Sequence, residues 1–341
     1  MRRTAVTLSQ VLRYSVVLLA VFACVAVLSL LVGPAHIEGI RTVKALVTGW
    51  RDGAAVLTPA EKTIIFSIRF PRVIFAGFVG AALSTAGVVF QALLRNPLAE
   101  PYILGISGGA AVGAIFAIIM GWYAFAFAVP GMAFIGALLT IVLVFAVGRS
   151  RGEAGSTSLL LAGVIVNAFF SAIIMFLISI SRGADLHNIT FWLMGDLGLA
   201  RGIHIVFLGI CSLAGGAIVY ANARSLNLIV AGEETALQLG VDVERTKMIL
   251  LTAASAMTAV AVAFSGIIGF VGLIIPHMMR MLLGPDHRLL LPASFLMGAS
   301  FLVVADTIAR TAVPATELPV GVITAFCGAP YFVYLLKRKA L

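Results

Sequence analysis

The polar residues of this chain do not form a set for making or breaking bonds. No Lys follows a Gly, so there is no GxxxxGK[ST] loop to cradle nucleotide phosphates. HExxH is absent, and no apolar run carries paired carboxylates for acid–base work. What the chain places among its apolar residues is basic, amidic or turn-forming. Arg95 to Pro101 read RNPLAEP, between an apolar run from Val73 to Leu94 and another from Tyr102 to Met120. The prolines stop helices and remove backbone donors. In hydrocarbon each freed backbone group or charge costs roughly several kcal/mol unless protein or water satisfies it. This break is therefore a turn at the edge of a bilayer or a polar structure lining a cavity inside one.

Other polar residues have local readings. Arg69 and Arg72, in RFPR, suit the anchoring of a helix end at a membrane interface. Asp306 and Arg310 are one helical turn apart and can pair with each other. Ser156 and Thr157 open an apolar run, where hydroxyls cap free helix amides. Asn167, Ser171 and Ser179 in that run could line a path or bond neighbouring helices. Cys24, Cys211 and Cys327 show no metal spacing and read as small buried hydrophobes.

The elements that position these residues are set by composition. The chain has 341 residues, 61% hydrophobic and 11% charged, with mean hydropathy +1.12. Soluble domains carry about 25% charged residues, so the solvent for these side chains is a bilayer. The net charge of +9 is scattered between apolar runs, without the continuous basic face that nucleic acid needs.

Ten spans are expected: Val11–Val32, Val73–Leu94, Ile103–Met120, Ala124–Val147, Leu159–Ile180, Ile203–Ala221, Met248–Phe264, Ile267–Leu283, Leu289–Ala309 and Val320–Leu336. The eighth is short, holds Pro276 and could be a broken helix. The first is too long for a signal-peptide core and reads as a retained span. Residues 34–65 read as an external amphipathic piece or a disordered loop. With the N-terminus inside, most of the 23 Lys and Arg fall in inner connections, and the basic C-terminal tail is inside too. RNPLAEP then lies at the inner surface. Residues 222–247 form a long polar inner connection, expected as two short helical pieces with Gly240 between them. A turn needs far fewer residues, so this one suggests a docking surface for a cytoplasmic partner.

The order and spacing of several motifs resemble the permease subunit of type II ABC importers, the FecCD-like family that takes up ferric siderophores, haem and cobalamin. The motifs are RFPR (69–72), QALLRNPLAEPYILG (91–105), LLLAGV (159–164), GFVGLIIPHMMR (269–280), DHRLLLP (286–292), AD-x3-R (305–310) and ELPVGVITAFCGAPYF (317–332). The resemblance covers nearly the whole chain, which reads as one transmembrane permease domain, 1–341, with an all-α fold. It implies an inner-membrane permease, most simply for a ferric siderophore or haem, with cobalamin as the alternative. It implies a second permease copy, a cytoplasmic ABC ATPase dimer, a substrate-binding protein outside and no resident cofactor or metal. It also implies site residues. Asn96, Leu98, Ser156 and Thr157 narrow the cytoplasmic exit. Glu234, Ala236, Leu239 and Gly240 belong to the loop that docks on the ATPase. Arg69, Arg72 and Arg310 pair with acidic residues of the binding protein. His277 and His287 sit in inner motifs as structural residues, while His36, His187 and His204 fall outside and could meet a metalloporphyrin. The opposing function is an ion-coupled carrier, which needs a buried acid within a span; Asp306 is the candidate, with Arg310 beside it.

Overall fold

The computed structural model of the chain describes residues 6–35, 37, 57–122, 125–148, 156–198, 202–313 and 316–337. Among these no strand occurs. Helix α1, Leu8–Leu31, begins at a capping box in which Thr7 and Gln10 satisfy each other's backbone amides. Thr58 and Glu61 repeat the device ahead of α2, Pro59–Lys62. A π-helical stretch, Thr63–Arg69, carries α2 directly into α3, Phe70–Leu93. This span therefore begins at Pro59 and not at the expected Val73. The wide π turns accommodate the donor missing at Pro71, so the helix passes through a residue that usually marks an edge. Of the expected external segment 34–65, residues 36 and 38–56 lie outside the described residues.

A 3-10 turn, Pro101–Leu104, leads into α4, Ile106–Ile119. Then come α5, Ala128–Gly148, and α6, Ser156–Ile180. Next are α7, Ala184–Met194, and α8, Gly202–Ala221. Two short helices follow, α9, Ala223–Ala231, and α10, Glu233–Gln238. The chain finishes with α11, Val243–Ser265, α12, Val271–Leu283, α13, His287–Thr311, and α14, Val320–Lys337.

Among the described residues, seven helices are long and apolar enough to cross a membrane: α1, the α2–α3 rod, α5, α6, α8, α11 and α13. The shorter apolar helices α4, α12 and α14 occupy the remaining expected positions. Helix α12 starts at Val271 instead of Ile267, leaving residues 266–270 unwound. Helix α7 lies where a plain connection was expected. It buries Ile189 and Trp192, so Trp192 is a packing residue and not the interfacial anchor its type suggests.

The α2–α3 rod is the axis of the packing, with 89% of its most apolar window buried. It packs against α8, α11, α12 and α13, and α1 leans on α13 from outside. Helices α4, α5 and α6 form a second group, joined to the first through α5 and α11. Small residues permit these approaches in a solvent as apolar as the side chains. A Cβ on Gly136 of α5 would overlap the Gly109 carbonyl of α4. The outer helices instead expose large apolar residues, such as Val16, Phe169, Met175 and Phe176, as bilayer contact requires. Cys24 and Cys327 share that outward exposure and are not the buried hydrophobes expected.

Candidate functional site

The segment after α3 shows how its sequence makes a turn. Arg95 N–H donates to Ala92 O at 3.3 Å and Asn96 N–H to Gln91 O at 3.2 Å, closing the helix as a Schellman motif. Arg95 takes the left-handed position, φ +49°, that glycine usually fills there. Pro97 then prevents continuation. Asn96 Oδ1 accepts from Leu98 N–H at 2.9 Å, and Asn96 O accepts from Ala99 N–H at 3.0 Å. Asn96 thus shapes the turn, and the turn presents Leu98, which is exposed. Ser156 and Thr157 open α6, but their side chains lie outside the described residues.

The remainder of the segment performs a task that motif reading missed. Glu100 Oε1 accepts from the N–H of Phe270, the left-handed residue (φ +70°) at the start of α12. A carboxylate is favourable at that helix terminus. The Tyr102 hydroxyl donates to Ile268 O at 2.6 Å and accepts from Ile268 N–H at 3.0 Å. Gln91 Nε2 donates to Gly272 O at 3.3 Å and Leu273 O at 3.2 Å, while its Oε1 accepts from Arg280 at 3.0 Å. Glu100 and Tyr102 therefore satisfy backbone groups of Ile268 and Phe270 in the α11–α12 break, and Gln91 the Gly272 carbonyl that Pro276 leaves without an intrahelical donor. Gly272 packs against Leu83 and Gly87, midway along α3, so the break sits within the packed bundle, where unpaired backbone is costly. The signal was present in the sequence: a Gln, a Glu and a Tyr among apolar residues, within reach of a Gly-rich run.

Near the same end lies the polar connection. The glycine between its two short helices is Gly232 (φ +154°), not Gly240 as expected. Gly240 (φ +82°) instead ends α10 in a second Schellman motif, with Val241 N–H donating to Ala236 O at 3.0 Å. Glu234, Leu239 and Gly240 are exposed, whereas Ala236 is buried against the chain itself. Leu237 and Val230 extend the exposed apolar face. Glu233 fixes the loop to the bundle, accepting from Arg95 at 3.2 Å and Lys247 at 2.5 Å. Asn227 ties α9 to α13 by donating to Asp286 at 2.9 Å and accepting from His287 N–H at 2.9 Å. Burial would raise the Asp286 carboxyl, but hydrogen bonds from Arg288 and Asn227 outweigh it and hold the group at about 2.

At the opposite end, the three arginines are buried: Arg69, Arg72 and Arg310 are 3%, 9% and 4% exposed. Arg69 donates to Leu30 O at 2.7 Å and Ala35 O at 2.8 Å, satisfying carbonyls at and beyond the end of α1. Arg72 and Arg310 share Asp306, at 2.9 Å and 3.0 Å. Arg72 also reaches the half-exposed Glu317 at 2.7 Å. The expected Asp306–Arg310 pair is present, joined by an arginine distant in sequence.

His187, Asn188, Trp192, Asp196, His204 and Phe264 help line a cavity of about 330 Å³ beside α7. His204 Nε2 lies 3.1 Å from Ala126 O, and the His187 ring lies tilted against Phe191 with centroids 4.4 Å apart. Among the described residues no cluster of His, Cys, Asp and Glu could hold a metal ion; His36 is outside them.

Two poles, one polar loop and an all-helical bundle narrow the comparison with known proteins. A family model, the FecCD transport family, matches residues 18–338. The chain belongs to the FecCD transport family. This FecCD chain is 46% identical over 278 residues to the cobalamin import system permease protein BtuC of Halobacterium salinarum, covering 82% of this chain and 74% of that protein. It is 41% identical over 285 residues to the hemin transport system permease protein HmuU of Yersinia pestis, covering 81% and 84%. A solved structure described as an inward-facing conformation of a metal-chelate type ABC transporter superposes with TM-score 0.83 at 32% identity, over 96% of this chain and 99% of that one. The motif resemblance is thereby confirmed: the FecCD chain is a multi-pass membrane permease.

Proposed function

We propose that this chain is the membrane subunit of an ATP-driven importer for a metal chelate, with a metal-bearing macrocycle of the cobalamin or haem type as cargo. The relatives named for cobalamin and hemin support the cargo class. The observation that carries the energy source is the 223–242 loop: two short helices, ended at Gly232 and Gly240 and ion-paired to the bundle, with an exposed face of Val230, Glu234, Leu237 and Leu239. A partner ATPase docks there, near the exit turn of Asn96 and Leu98, at the cytoplasmic side. Ser156 and Thr157 complete the constriction on the strength of the family resemblance alone. A second copy of the chain completes the path. The binding protein docks at the opposite pole, where Arg69, Arg72 and Arg310 are held in fixed positions by their bonds inside the chain.

An ion-coupled carrier is disfavoured, because Asp306 is engaged by two guanidinium groups and is not a free proton or sodium relay. Vesicles containing the chain, its ATPase and its binding protein test the reading with cobalamin, hemin and a ferric siderophore. Accumulation of cobalamin or hemin is expected; accumulation of the ferric siderophore alone, or of none of the three, would refute the cargo class.

A further inference from the structure

Residues 95–102 are tied at both ends, and the ties lead to different parts of the molecule. At one end Arg95 meets Glu233 of α10 at 3.2 Å, and the same carboxylate meets Lys247 of α11 at 2.5 Å. At the other end Glu100 accepts from Phe270 N–H, and Tyr102 satisfies both backbone groups of Ile268. Little slack lies between. Pro97 and Pro101 fix their own φ angles, and the Asn96 side chain closes the turn onto Leu98 N–H. Beyond the break the connection continues: a Cβ on Gly328 would overlap the Phe270 ring, so that ring rests directly on the backbone of α14.

We infer that residues 95–102 are a transmission strap that carries displacement of the 223–242 loop to the start of α12 and on to α14. Arg95–Glu233 is half-exposed and contributes little energy, so it guides the strap. Glu100 and Tyr102 grip at the packed end, where lost hydrogen bonds go uncompensated. They are positioning residues: they set where α12 begins and need not touch cargo. The proposal rests on the importer reading and adds to it the route by which nucleotide events reach the path.

The test uses the full chain with its ATPase and binding protein in sealed vesicles. It follows whichever of cobalamin, hemin or a ferric siderophore the wild type accumulates. The readout is cargo taken up per ATP hydrolysed. Tyr102→Phe removes both bonds to Ile268 without changing shape. Glu100→Leu removes the acceptor, and Glu100→Gln restores one. With Tyr102→Phe or Glu100→Leu in the complex, the partner ATPase is expected to keep hydrolysing ATP while uptake per ATP falls about three- to tenfold, the change that loss of one or two net hydrogen bonds produces. Glu100→Gln is expected to recover most of it. If Glu100→Leu does not fold, Tyr102→Phe carries the test alone. An unchanged ratio in Tyr102→Phe, or hydrolysis and uptake falling in parallel, overturns the strap. No uptake by wild-type vesicles of any of the three would instead overturn the importer reading, and the strap with it.

Discussion

Asp306 holds one negative charge against two buried guanidinium groups, Arg72 and Arg310. Asp306→Asn keeps the shape but leaves Arg310 without a paired carboxylate and Arg72 with only the half-exposed Glu317. Breaking a buried pair from one side costs about 3–5 kcal/mol. The exposed partner Glu317 is different, and Glu317→Gln is expected to cost no more than about 1 kcal/mol. Thermal unfolding of the purified protein in detergent compares the two; equal shifts would contradict the network. Half of it was legible in the sequence, since Asp306 and Arg310 are one turn apart. The other half was not, because Arg72 reaches Asp306 only through the packing of α3 on α13. Glu100 and Tyr102 were hidden for the same reason: their partners are backbone groups far along the chain.

At the scale of elements, the 223–242 loop offers two separate tests. Gly240→Pro removes the N–H that donates to Leu237 O at 3.0 Å and forbids the positive φ of +82°. The loop is expected to lose its shape while the spans stay folded, so in the complex the partner ATPase should hydrolyse ATP without driving uptake. Wild-type uptake would contradict a docking role. The second test is acid. Asp286 sits at about 2, below its ordinary 3.8, so its contribution is complete above 3.8 and is lost as pH falls through about 2. Asp286→Asn should therefore lower the melting temperature at about pH 6 and have little further effect below about pH 2. Apolar length and composition located the ten apolar helices found among the described residues, because a bilayer imposes both. They missed the start of the second span at Pro59, since a π stretch lets the helix run through Pro71. They also placed the start of α12 too early, since Gly266 to Phe270 are as apolar as a helix but are held unwound by Glu100 and Tyr102. The loop's hinge was assigned to Gly240 because both glycines suit positive φ, and only the backbone distinguishes Gly232 as the one between helices.

The whole molecule is a bundle with two unlike poles. One is a buried arginine–carboxylate network at the ends of α1 and α13; the other is an exposed loop ion-paired to Arg95 in the turn after α3. The α2–α3 rod joins them, and the broken stretches 94–105 and 266–270 meet alongside it. Family and span positions were readable from motifs because their order extends over the chain; the way the motifs hold one another was not, because it depends on contacts between helices. On the proposed reading the loop end is the cytoplasmic one, and another protein docked there drives the molecule, not an ion passing through. The most direct measurement is the energy requirement of uptake in sealed vesicles that contain the chain, its ATPase and a loaded binding protein. Uptake is expected with ATP and the intact ATPase, and to persist when an ionophore collapses the proton and sodium gradients. Uptake driven by a gradient without nucleotide would contradict the account.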